Sequence, residues 1–159
     1  MGNEDYGQVE DTDPVQDGVG KQEEIRAFAP HLFRWQGPKA KFFLFGTVQG
    51  TLVITDRRLL FLTAGGSGMA SQFSALGQQL SGGVRLADID LSLLATPESI
   101  SLPLAKITRF EVIRRWDFAS YISLAGTDEA GEEICVALMP KLGLNAAHLR
   151  SLAAAAGFE

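Results

Sequence analysis

Residues 50–63 read GTLVITDRRLLFLT, two runs of β-branched and bulky apolar residues with one charged break between them. Leu52 and Ile54 alternate with Val53 and Thr55, and RLLFLT resumes directly after Asp56-Arg57. The spacing predicts strand, tight turn, strand. The preceding KFFLFGTV, residues 41–48, is also strand-like, with Phe42, Phe43, Leu44 and Phe45 apolar on both faces. No helix-length segment separates these strands, so they are expected to pair antiparallel. A doubly apolar strand needs cover on both sides. Residues 21–35, carrying Phe28, Leu32, Phe33 and Trp35, are expected to supply it in preference to another chain.

The same alternation returns downstream. Ile100, Leu102 and Leu104 share one face, as do Thr108, Phe110 and Val112, then Ile122 and Leu124, then Ile134, Val136 and Leu138. TDEAGEE between the last two runs reads as a hairpin loop. Two stretches carry helical spacing instead. Ile25, Phe28, Ala29 and Leu32 predict a short helix near residues 21–29, cut by Pro30. NAAHLRSLAAAAGF predicts a terminal helix with Asn145 as N-cap, an apolar stripe of Leu149, Leu152, Ala153 and Ala156, and Gly157 as its stop. The expectation is about seven strands, one inserted helix and one terminal helix plugging a curled sheet.

Charge is distributed unevenly over the 159 residues. Residues 1–24 hold Glu4, Asp5, Glu10, Asp11, Asp13, Asp17, Glu23 and Glu24 against Lys21 alone, a net −7. The remainder has thirteen bases and eleven acids, so the total is −5. An acidic tail on a near-neutral domain argues against nucleic-acid binding, which needs a basic footprint. Residues 1–20 have too little bulky apolar surface to order themselves and are expected to be disordered. Residues 21–159 form one domain.

At this point the motifs resemble a known family. In GRAM and bacterial PH-like domains a glycine precedes a Leu/Ile-Thr-Asn/Asp-x-Arg-Leu-x-Phe pattern, and Ile54, Thr55, Asp56, Arg58, Leu59 and Phe61 occupy those places here. ISLPLAKITRFEV is similar to the family's later strand pair. The resemblance spans roughly residues 38–157 and departs in the long Gly/Ser/Ala segment 64–83. It implies a mainly β, PH-like fold: a seven-stranded, bent antiparallel barrel capped by a C-terminal helix, here with a helix-bearing insertion, 64–98, after the third strand. It also implies a module that binds lipids or proteins.

Several chemistries are excluded by what they require. The AGGSG cluster after a strand looks like a dinucleotide loop, but the third glycine is Ser71 and no further β–α units follow. His31, His148 and Cys135 are scattered, too few for a zinc site or for a nucleophile with its base. Asp13, Asp17, Gly18 and Glu24 match part of a calcium loop, yet Val15 replaces a ligand. Neither a catalytic residue, nor a metal, nor any other cofactor is expected, and no small-molecule substrate is identified.

Two kinds of partner remain. Protein–protein interaction or self-assembly, through an exposed strand edge or apolar face, is the leading expectation. The alternative is peripheral membrane binding. Met69, Phe73, Leu76 and Leu80 make one apolar stripe in residues 67–81, suited to shallow insertion or to packing on the sheet. The basic candidates for lipid or partner binding are Lys39, Lys41, Arg57, Arg114 and Arg115. One cysteine and no bilayer-length apolar run fit a cytoplasmic protein, peripheral to the inner face of the membrane in the second reading.

Overall fold

A computed structural model describes residues 23–41, 46–63, 98–116, 119–141 and 145–159. They form strands β1 (Ile25–Gln36), β2 (Val48–Thr55), β3 (Arg58–Thr63), β4 (Ile100–Pro103), β5 (Ile107–Arg114), β6 (Ser120–Thr127) and β7 (Glu133–Pro140), followed by helix α1 (Ala146–Ala155). All seven strands lie in one antiparallel sheet, ordered β4-β3-β2-β1-β7-β6-β5.

The architecture is therefore mainly β with a terminal helix, as the alternation predicts, but the expected barrel does not close. Among the described residues no ladder joins β4 to β5, the two ends of the sheet. Inner-face residues of every strand nevertheless meet in one core, including Leu32, Leu52, Phe61, Leu102, Phe110, Leu124 and Leu138. The sheet must bend over itself for that to happen. Leu149, Leu152, Ala153 and Ala156 of α1 enter the same core, filling space that would otherwise admit water. A helix in the opening does the work that strand closure would do in a barrel.

Within the predicted helix over 21–29, residues 25–29 are instead the start of β1, and residues 21 and 22 lie outside the described residues. Helical spacing was present, but β1 pairs with β2 from Ile25 to Arg34 and with β7 from Leu32 to Gln36. Two ladders satisfy its backbone in place of one helix. The 3.6-like spacing arises from register shifts at Ile25/Ala27 and Ala29/Leu32, where extra residues reset which side chains face inward. Thr108 is a smaller correction of the same type. It is exposed, because a shift between Ile107 and Arg109 gives the inward place to Ile107.

Both faces of β2 and β3 are buried. On the outer side of β5, β6, β7 and β1 a second cluster gathers Trp35, Tyr121 and Ala137 with Phe33, Ala40, Ile113 and Met139. Phe33 and Trp35 belong to this outer cluster, while Leu32 belongs to the inner core. Their expected targets, Phe42 to Phe45, lie outside the described residues, as do most of the 64–98 insertion and the stripe Met69, Phe73, Leu76 and Leu80.

Candidate functional site

The signature hairpin is a structural joint. Thr55 Oγ1 accepts from Arg58 N–H at 2.9 Å and lies 2.6 Å from Glu23 Oε1, to which it donates. Arg58 Nε and Nη2 donate to Glu23 at 2.9 and 3.1 Å, and Arg58 Nη1 stands 3.6 Å from Glu129 Oε1. Asp56 Oδ1 accepts from Glu24 N–H at 3.1 Å. These bonds tie the start of β1 and the β6–β7 loop to the β2–β3 turn. Arg58 is spent on the fold, and exposed Arg57 sits beside it at the β4–β5 end, where its carbonyl accepts from Leu104 N–H at 2.9 Å.

The other basic candidates lie elsewhere. Arg114 and Arg115 end β5, eight residues or about 25 Å from the Arg57 end. Arg115 Nη1 reaches across the sheet to Met139 Sδ at 3.6 Å and to the Lys41 carbonyl at 3.3 Å. Lys39 is exposed two residues before Lys41, in the β1–β2 connection. Arg115 N–H donates to the Ala119 carbonyl at 2.7 Å. Continuing the β6–β7 register past Ile122↔Leu138 sets Lys141 beside Ala119. Trp116, directly after Arg115, is 82% exposed. Sequence reading missed it. The signal was there, an aromatic directly after two arginines at a break in alternation.

Along β5 the surface changes character. A cavity of about 570 Å³ lies between this strand and α1, walled by Phe110, Val112 and Ile113 on one side and by Ala153, Ala154 and Phe158 on the other. Its rim carries Glu111, Arg150 and Glu159. A second cavity of about 370 Å³ continues past Val112 and Arg150 toward Arg114, Ser120, Asn145 and Ala146. The groove exists because α1 presents alanines here, too small to fill the gap to the strand. Phe158 closes its floor by stacking on Phe110, ring centroids 5.8 Å apart. β5 is also an end strand, so half of its backbone N–H and C=O groups point away from β6, its one strand partner among the described residues.

A third cluster closes the opposite part of the core. Arg34 lies 5.5 Å from the Phe61 ring centroid, and its Nη1 donates to the Glu98 carbonyl. Burial pushes the Arg34 guanidinium below its ordinary pKa, against the opposing pull of the Glu98 carboxylate. Cys135 faces outward, its Sγ 3.3 Å from Arg109 Nη2, and His148 is exposed on α1. Among the described residues no three His, Cys, Asp or Glu side chains converge as a metal site would require, and no helix is long and apolar enough to cross a membrane. No model of a known protein family matches the chain, and no curated protein matches it.

Proposed function

We propose that this chain is a non-catalytic binding module of PH-like fold, with residues 64–98 as an insertion, holding protein partners along the open edge of β5. The observation that carries the reading is the coincidence of a strand edge unpaired among the described residues with an apolar groove running beside it. A bare edge is a hazard that proteins usually blunt or cover. Here it is flanked by a helix that leaves room for one more strand's side chains, the arrangement that strand addition uses. The sheet order, the bent core and the helix plugging the opening support the PH-like assignment. The Thr55–Arg58–Glu23 joint supports it too, because it gives the signature residues a structural role.

The test compares two immobilised baits, the intact protein and Ala154→Trp, which fills the groove from an exposed helix position. Partners recovered by the intact protein are expected to fall at least tenfold on the variant. Equal recovery on both baits would overturn the reading.

A second reading rests on Trp116. An exposed aromatic amid Arg114, Arg115, Lys41 and Lys141 suits an anionic bilayer surface, the ring entering the headgroup layer and the bases meeting phosphates. Flotation with phosphatidylcholine vesicles, with and without phosphatidylserine, checks it. Loss of flotation in Trp116→Ala would favour this corner. Loss in Phe73→Asp/Leu76→Asp alone would favour residues 67–81.

A further inference from the structure

We infer that the β5–α1 groove takes an extended partner segment of defined chemistry: a bulky apolar residue flanked, toward one end, by an acidic one. The inference rests on the reading of β5 as a binding edge and adds what the edge selects. An added strand lies parallel to β5, so its residues sample the groove in order along the strand axis, about 3.3 Å apiece. The stretch from Phe110 to Arg114 therefore reads about five partner residues. Side chains on the helix side fall alternately between β5 and α1, and those between are screened from water.

The lining fixes what each position accepts. Opposite Phe110 and Val112 the helix offers Ala153, Ala154 and Phe158, an apolar slot with room for a large side chain. One step toward the β5–β6 turn, Arg150 stands where the two cavities meet. It is exposed and makes no ion pair within 4 Å among the described residues, so its guanidinium is presented to an incoming carboxylate. Away from Arg150 the rim is acidic, with Glu111 beside the slot between Phe110 and Val112 and Glu159 after Phe158. The groove is thus polarised along its length, cationic toward the turn and anionic toward the end of α1. A segment with an acid at the Arg150 end matches that field, and one with a base there meets like charge. The polarity also fixes the segment's direction.

A second copy paired about Val112, the middle of the apolar slot, fits less well. Pairing two β5 edges antiparallel about Val112 sets Glu111 opposite Ile113 and Arg109 opposite Arg115, an unmatched charge followed by a like-charge pair. A partner segment avoids both.

The experiment pans displayed random peptides of about seven residues against the full chain, with Ala154→Trp as the counter-selection. Enriched peptides are then made synthetically and titrated. The expected result is enrichment of an acid two residues from Phe, Leu, Ile or Trp, with affinity at least tenfold lower for Ala154→Trp. Arg150→Glu, an exposed change that leaves the fold intact by circular dichroism, is expected to reverse the preference from acidic to basic. Groove-dependent peptides with no acid, or no reversal in Arg150→Glu, would overturn this inference while leaving the edge reading standing. Peptides bound equally by Ala154→Trp, or no enrichment at all, would overturn both. Sedimentation showing a dimer that Ala154→Trp breaks would assign the groove to a second copy, and binding that appears only after removal of residues 1–20 would assign it to the acidic tail. Either outcome overturns the partner assignment.

Discussion

Glu23 and Arg58 are 35 positions apart, yet Arg58 gives Glu23 three hydrogen bonds in a forked geometry while their side chains are only 14% and 22% exposed. A fork of that kind is specific to guanidinium, because an ammonium cannot meet both carboxylate oxygens in one plane. Arg58→Ala is expected to lower stability by about 1–3 kcal/mol, since it removes the guanidinium from the Glu23 carboxylate and leaves it the Thr55 hydroxyl as side-chain donor. Arg58→Lys should recover less than half of that loss in urea unfolding. Gly50 is a steric case: a Cβ there would lie 2.6 Å from the Leu62 carbonyl oxygen and 2.7 Å from Phe61 Cζ. Gly50→Ala should cost about 1–3 kcal/mol by the same measurement, because neither neighbour is a loose surface group. Arg34 gives a prediction of sign. Its folded pKa is depressed, so folding disfavours its charge, and that contribution changes only as pH rises through the folded value and then the unfolded one. Arginine stays protonated far above neutrality, so Arg34→Gln should not alter the pH dependence of stability between about pH 5 and 9. At this scale the turn residues Thr55, Asp56 and Arg58 were readable in sequence, because the bonds Thr55 Oγ1 accepts from the Arg57 and Arg58 N–H groups close the turn locally. Their clamp partner Glu23 was not, since nothing in a sequence marks which distant carboxylate a strand will bring back.

Elements were readable wherever their periodicity was undisturbed. α1 carries its instructions within fourteen residues: Asn145 Oδ1 accepts from His148 N–H at 2.9 Å, and the helix ends with Gly157 at φ +90°. There Phe158 N–H bonds the Ala153 carbonyl at 2.9 Å and Gly157 N–H the Ala154 carbonyl at 3.0 Å, the two bonds of a Schellman cap. Gly157→Ala should therefore cost about 1 kcal/mol in thermal or urea unfolding, the penalty of a left-handed residue with a Cβ. β1 shows the opposite case. Its bulges displace the apolar residues from strict alternation into a spacing that mimics a helix, and Pro30, which reads in the sequence as the end of that helix, sits inside a strand. The distortion centres on His31, the one non-glycine residue with positive φ among the described residues, at +57°. His31→Gly should be neutral or stabilise by up to about 1 kcal/mol, while His31→Val should destabilise by about 1–2 kcal/mol, because a β-branched side chain tolerates that region poorly. If both variants unfold alike, the bend is held by Pro30 and not by the residue after it.

At the scale of the molecule, alternation tells which side chains point inward but not which strands end the sheet. Among the described residues every strand after Thr63 could be found in sequence, yet the order β4-β3-β2-β1-β7-β6-β5, which leaves β5 at the end of the sheet, follows from how the bent sheet meets α1. That is why the groove is not legible in the sequence, where Phe110, Val112 and Ala153 stand out but not that they face one another. The helix consequently has two sides with different duties. Leu149, fully buried, holds α1 in the opening of the sheet, whereas Ala154 one turn further on is exposed along the groove. Leu149→Ala is expected to cost about 2–5 kcal/mol, as large-to-small changes in a tight core do, and to loosen the plug enough for water and dye to reach the core. Ala154→Trp should leave stability within about 0.5 kcal/mol, because an exposed helix position adds no strain to the core. The two variants divide the helix cleanly: unfolding midpoint and dye binding should move for Leu149→Ala alone, and peptide or partner recovery should fall most for Ala154→Trp. Should Ala154→Trp unfold as readily as Leu149→Ala, the space beside β5 is part of the core's packing, and the edge it flanks is not a binding surface.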